Sequence, residues 1–277
     1  MKFTKMHGLG NDFIIVDNID KKIEPVYLAN RASNLCNRNF GIGADGLVIL
    51  SSSSKAPFRM NIFNPDGSEA EMCGNAIRCL AKYVWDRGLI DKTTFSFETA
   101  SGIKEVNLLI SGQDVDAVRV DMGEPVLDSE KIPVEGSSRQ VMNESLLIGE
   151  MELIFTAVSM GNPHCVIFVP DLEAAPWESW GAVIEKEPLF PKRTNVEFVE
   201  VINSGEIKVK VWERGVGPTL ACGTGACAAV VAGVLTGRLL NAVEVHLPGG
   251  ALQINWEKSQ KVYMEGPAVE VFNGEVQ

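Results

Sequence analysis

Short apolar runs recur along the chain. Phe13–Val16 and Val166–Val169 are unbroken stretches of aliphatic and aromatic residues, the pattern of strands buried on both faces. Arg59–Phe63 and Lys208–Trp212 alternate instead, like strands with one covered face. Two helix-length segments follow, Asn75–Arg87 before Gly88 and Thr224–Thr236 before Gly237, each ending on a glycine suited to close a helix. The second carries Ala226, Ala228, Ala229, Val230, Val231, Ala232, Val234 and Leu235, so it is apolar nearly all round. Such a helix must be enclosed, and a curved sheet can enclose it. Asp128–Asn143 is polar and reads as a loop, while Lys104, Glu105 and Glu185–Lys192 read as solvated surface.

These elements occur twice. Arg59–Asn75 lies over Lys208–Thr224 without a gap, and Cys73-Gly74 meets Cys222-Gly223 at an offset of 222 − 73 = 149. Gly10–Val16 resembles Gly161–Ile167 at an offset of 161 − 10 = 151. Two matches at nearly equal offsets predict an internal duplication. The expected fold is α+β: two pseudo-symmetric domains, each a curved mixed sheet wrapped around a central helix. The first is placed at 1–117, with the tail 266–277 available to complete it, and the second at 118–265.

Composition narrows the function. With 277 residues, 45% hydrophobic and 22% charged, the chain suits about two globular domains. The net charge of −11 and pI near 4.9 speak against nucleic acid as a partner. The longest apolar run, Ala226–Leu235, is interrupted by Gly233 and too short to cross a bilayer, so no membrane role is expected. Met1–His7 has no apolar core of a secretory signal, which points to the cytoplasm. Cys36, Cys73, Cys79, Cys165, Cys222 and Cys227 include no C-x-x-C pair, and His7, His164 and His246 form no spaced metal motif. No dedicated metal site is expected.

Cys73 and Cys222 each stand where a loop meets a helix N-terminus, beside a glycine. There the helix dipole should lower a thiol pKa, and backbone N–H groups offer a seat for a carboxylate. Taken singly, each is better read as a buried structural cysteine. The duplication changes that, because related halves commonly face each other across a ligand cleft. Two opposed thiols suit the inversion of a stereocentre: one removes a proton from carbon and the other delivers one to the opposite face. A thiol redox protein and a non-catalytic amino-acid binder are the competing classes.

At this point the chain resembles a known family, diaminopimelate epimerase, over nearly its whole length. The resemblance runs through Met6–Phe13, Gly41–Gly46, Phe63–Glu69, Cys73–Asn75, Met160–His164, Asn195–Phe198, Glu213–Gly215 and Ala221–Gly225. It implies interconversion of LL- and meso-diaminopimelate without a cofactor, for lysine and cell-wall synthesis, by a cytoplasmic homodimer. It also implies Cys73 and Cys222 as catalytic bases, and Asn11, Asn64, Asn162, Asn195, Glu213 and Arg214 as side-chain contacts to the substrate. Gly74, Asn75, Gly223 and Thr224 would form the carboxylate cradle, with His164 and Glu213 tuning the thiols. A racemase of another amino acid, such as histidine or proline, is the alternative within the same chemistry.

Gly46 departs from the family pattern, which carries a substrate-binding glutamine there; water or main chain is expected to fill in. His7 reads as a packing or hydrogen-bonding residue and His246 as an ordinary strand residue. Cys36, Cys79, Cys165 and Cys227 read as structural thiols.

Overall fold

The structure, a computed structural model, describes residues 1–20 and 23–276. It divides into two compact units, Met1–Asp121 with Glu265–Gln277, and Met122–Met264.

Unit 1 begins with β1 (Lys2–Gly8), β2 (Asn11–Asp17), α1 (Pro25–Cys36), β3 (Gly46–Ser51), β4 (Phe58–Phe63) and β5 (Glu69–Ala70). It continues with α2 (Gly74–Asp86), β6 (Thr94–Thr99), β7 (Gly102–Ser111) and β8 (Asp114–Gly123). β1 pairs antiparallel with β2, β2 parallel with β3, β3 antiparallel with β4 and β4 parallel with β6. Unit 2 repeats the plan after β9 (Glu144–Ile148), with β10 (Met151–Ser159), β11 (Pro163–Phe168), α3 (Trp177–Ile184), β12 (Asn195–Asn203) and β13 (Glu206–Glu213). Then come β14 (Gly217–Thr219), α4 (Gly223–Leu235), β15 (Ala242–Leu247), β16 (Gly250–Asn255) and β17 (Val262–Gly266). Its ladder is the same: β10 antiparallel to β11, β11 parallel to β12, β12 antiparallel to β13 and β13 parallel to β15. β18 (Val269–Glu275) returns to pair antiparallel with β1.

Parallel neighbours need crossover connections, and the helices supply them. α1 and α2 follow β2 and β5, as α3 and α4 follow β11 and β14. Each sheet is therefore covered on both faces, which is why β3 is buried at every position. Side chains alternate across each strand. Ile14, Val16, Leu47 and Ile49 join Leu28, Ala32 and Leu35 of α1 in one core. Cys165, Ile167, Val196 and Phe198 form the corresponding core with Ile184 of α3. Phe13, Val48, His164 and Glu197 are the alternate residues, directed to the opposite faces. α2 packs on β1, β2, β4 and β7, and α4 on β10 to β13 and β16.

The two sequence-predicted helices appear within one residue of their expected bounds, closed by Gly88 at φ 64° and Gly237 at φ 73°. α1 and α3 were outside the one-helix expectation. Among its described side chains α1 buries Leu28, Ala32, Leu35 and Cys36, a narrow stripe, and α3 has eight residues with no side-chain cap. Asp128–Asn143 lacks strand or helix but places Ile132, Val134 and Val141 in the unit 2 core. Glu185–Lys192 is not plain surface either. Glu185 is buried and accepts from Trp212 Nε1 and the Gly215 backbone N–H, both at 2.9 Å, and Phe190 is buried beside Phe155. Among the described residues, no helix is long and apolar enough to cross a membrane.

Candidate active site

Cys73 and Cys222 occupy the same local geometry. Each is the N-cap of its helix with an extended backbone, φ −140° and −114°. Their carbonyls accept the first helical bonds, from Ile77 and Ala226, both at 3.0 Å. The N–H groups of Gly74 and Asn75, and of Gly223 and Thr224, therefore have no acceptor within their own helix. The positive end of the helix dipole lies at these N-termini.

In unit 1 the structure gathers Cys73, Asn11 and Asn75. The thiol donates to Asn11 Oδ1 at 3.8 Å, and Asn75 Nδ2 donates to the same oxygen at 3.0 Å. Asn11 Nδ2 donates to Asp45 Oδ2 at 2.9 Å. Arg38 in turn grips Asp45 and Asp12 at 2.7 Å each, and Lys5 reaches Asp12 at 2.6 Å and the Gly43 carbonyl. Burial works to raise the Asp12 carboxyl, but Arg38 and Lys5 outweigh it and hold it far below the usual carboxylate range. The sequence reading missed Asp45 and Arg38, which fix how the Asn11 amide is turned. Asn64 sits in the turn after β4, where Nδ2 donates to Ser68 Oγ at 3.0 Å. Gly46 lies opposite Phe13, and a Cβ there would stand 3.2 Å from the Phe63 carbonyl and 3.4 Å from the Phe13 ring.

In unit 2 the cluster is more charged. Cys222 Sγ accepts from the Gly225 N–H at 3.4 Å and lies 3.5 Å from Thr224 Oγ1. Glu213 accepts from Thr219 Oγ1 at 2.7 Å. Burial pushes the Glu213 carboxyl up, against the hydrogen bonds from Thr219 and Cys222. His164 Nδ1 lies 2.7 Å from Glu197 Oε1, and Nε2 lies 2.9 Å from Asn162 Oδ1. Asn195 ties the backbone together: Nδ2 donates to the Pro163 carbonyl at 2.7 Å, and Oδ1 accepts from the Arg214 N–H at 3.0 Å. The Arg214 side chain is exposed and donates to the Lys192 carbonyl at 3.2 Å. Glu197 and Gly225 lie inside sequence motifs that assign them no role. A Cβ on Gly225 would stand 2.7 Å from Glu197 Oε1 and 3.3 Å from Cys222 Sγ, so both close on the same small space.

The expectation of a lowered thiol pKa does not hold for Cys222. Burial first, then the Glu213 and Glu197 carboxylates, push it well above the ordinary thiol value, outweighing Thr224 and the Gly225 N–H. A helix terminus stabilises an anion by only about 0.3–1 kcal/mol, less than burial beside two acids takes away. Cys36, Cys79, Cys165 and Cys227 are buried. Burial raises Cys36 to about 11, Cys79 to about 12 and Cys165 well above its ordinary value. His7 Nδ1 accepts from the Gly10 N–H at 3.3 Å, and His246 on β15 lies 2.8 Å from Glu206. No cluster of three or more His, Cys, Asp or Glu side chains suited to a metal occurs among the described residues.

The sequence model of the family described as diaminopimelate epimerase matches residues 3–127 and 156–271. A protein of Pelotomaculum thermopropionicum named diaminopimelate epimerase is 56% identical over 275 residues, covering 99% of this chain and 98% of that one. One of Methanococcus maripaludis strain C5 with the same name is 51% identical, covering 100% and 99%. Among solved structures, a hydroxyproline epimerase from Agrobacterium vitis with bound trans-4-hydroxy-L-proline superposes with a TM-score of 0.73 at 15% identity, covering 99% and 91%. A Bacillus anthracis phenazine biosynthesis protein of the PhzF family gives 0.71 at 16% identity, covering 100% and 99%. Likeness at that identity is a likeness of fold.

Proposed function

This chain belongs to the diaminopimelate epimerase family, and we propose from that premise that it interconverts LL- and meso-diaminopimelate by proton transfer between carbon and two thiols. It is an isomerase. The observation that carries the two-thiol reading is the repeated N-cap cysteine: Cys73 and Cys222 head equivalent helices, each beside two backbone N–H groups without a helical acceptor.

One cysteine, as thiolate, takes the α-proton and becomes a thiol. The electron pair left on carbon delocalises into the carboxylate, whose added negative charge suits the cradle of Gly74, Asn75, Gly223 and Thr224. The other cysteine gives its proton to the opposite face and is left as thiolate. The reverse reaction exchanges the two roles. Acid and base are both side chains, so the chemistry calls for no pyridoxal phosphate. Asn11, Asn64, Asn162 and Asn195 are assigned to hold the substrate, Glu213 to read an ammonium, and His164 with Glu213 to tune the Cys222 proton. Arg214 offers a bidentate fork to the far carboxylate. Its exposure means that the ligand, rather than the resting protein, must bury it. We assign the protein to the cytoplasm, as a homodimer without nucleic-acid partners, supplying lysine and cell-wall synthesis.

The test is a stereochemical assay of purified protein without added cofactor. LL-diaminopimelate should equilibrate with the meso form, while lysine and histidine should remain unchanged. Cys73→Ala and Cys222→Ala should each lose the reaction. Racemisation of lysine or histidine at a comparable rate would move the assignment to a broader amino-acid racemase.

A further inference from the structure

The two units build one strand pair in one register and then fill two of its buried positions differently. β2 and β3 run parallel with Phe13 opposite Gly46 and Ile15 opposite Val48. β11 and β12 run parallel with His164 opposite Asn195 and Val166 opposite Glu197. Position for position, Phe13 and Val48 correspond to His164 and Glu197, at offsets of 151 and 149. All four are at most 2% exposed. An apolar pair therefore suffices to make this part of the fold, yet unit 2 buries a charged pair there. Buried ion pairs do not out-stabilise well-packed apolar side chains of similar volume, so packing gives no reason for the exchange.

The hydrogen bonds give one. Glu197 Oε1 and Asn162 Oδ1 stand on opposite nitrogens of the His164 ring, at 2.7 and 2.9 Å. A carboxylate and an amide oxygen only accept, so both bonds form only when the ring donates through both nitrogens. Glu197 Oε2 is buried without a hydrogen-bond partner among the described residues. The pairing at Oε1 must therefore hold the carboxylate in place. Unit 1 turns its equivalent asparagine with a carboxylate too, but directly, through Asn11 Nδ2 and Asp45.

We propose that Glu197 is a positioning residue for the reaction. It holds the His164 ring with a proton on each nitrogen, and that ring fixes the Asn162 carbonyl oxygen, leaving the Asn162 Nδ2 donor for the substrate. The proposal rests on the reading of Asn162 as a substrate contact. Loss of the Glu197 charge releases the second ring proton and lets the Asn162 amide turn. A misdirected contact of this kind lowers turnover without unfolding the protein.

The experiment combines kinetics with nitrogen-15 spectra of labelled histidine. His164 is identified by the signal missing in His164→Phe. In the wild type at neutral pH it should show protons on both ring nitrogens, and in Glu197→Gln on one. Glu197→Gln should keep its thermal midpoint while kcat/KM for LL-diaminopimelate falls about 10–100-fold. The double variant His164→Phe with Glu197→Val copies the unit 1 pair. It should also fold and lose at least as much activity, and it carries the kinetic test should Glu197→Gln fail to fold. A single ring proton in the wild type, or a variant with kcat/KM within about twofold of wild type, overturns the proposal. A doubly protonated ring in a wild type that does not epimerise diaminopimelate would overturn the proposed function instead.

Discussion

Gly225 shows how little room surrounds the Cys222 thiol. Its missing Cβ is the space into which Glu197 Oε1 and Cys222 Sγ both close, and the carboxylate is pinned from behind by His164. Gly225→Ala should therefore push the thiol or the carboxylate aside. We predict that kcat/KM for LL-diaminopimelate falls about 10–100-fold with little change in the circular dichroism spectrum. Activity near wild type in that variant would mean that the cluster has slack. The thiol itself gives a second prediction. Burial and the two carboxylates raise the Cys222 pKa, so in ligand-free protein it should stay protonated at neutral pH. Site-resolved alkylation by iodoacetamide should begin only above the range of an ordinary thiol, about 8.5. Glu213→Gln removes one neighbouring acid and should bring the onset to lower pH. Rapid labelling of Cys222 at pH 7 would contradict this.

Among the elements, what was legible in the sequence depended on how much a segment's own pattern fixed its state. α2 and α4 carry clear helical runs closed by glycine, and both lie within a residue of expectation. α1 and α3 do not announce themselves. Val26 and Tyr27 of α1 are exposed, and α3 follows Pro176 without a capping side chain, so packing on the sheet decides both. Glu185 was misread because a charged residue usually marks surface, and only the fold brings Trp212 and Gly215 to it. The cysteine pair was legible in the sequence through the repeat, and the asparagines only through the resemblance to a family. Their orienting partners Asp45, Arg38 and Glu197 were not, because each acts through a contact distant in sequence. The Asp12 network, which joins β1, β2 and the loop before β3, makes a prediction at this scale. Its folded carboxyl is held far below the unfolded value of about 3.9, so the stabilisation is present above that value. It is lost as pH falls through the lowered folded value. Urea midpoints of the wild type should therefore drop on acidification below about pH 4 more steeply than those of Asp12→Asn. Parallel curves would show that the network contributes nothing to acid stability.

Across the whole molecule, one topology has been used twice with different chemistry. Unit 1 surrounds its N-cap cysteine with amides, Asn11 and Asn75, and holds its charges one step back in Asp45 and Arg38. Unit 2 brings ionisable groups to the thiol: Glu213 stands where the repeat has Asn64, and Glu197 where it has Val48. The two cysteines are equivalent in the repeat and unequal in surroundings, as suits the acid and base roles proposed for them. A single enzyme base would carry the abstracted proton to either face and return part of it. Two bases cannot. The most direct test follows LL-diaminopimelate in deuterated buffer with purified protein and no added cofactor, sampling early in the reaction. The meso product should carry one solvent deuterium, at the inverted carbon alone, while the remaining LL substrate keeps its protium. Early product that retains the original α-proton would contradict the two-thiol account.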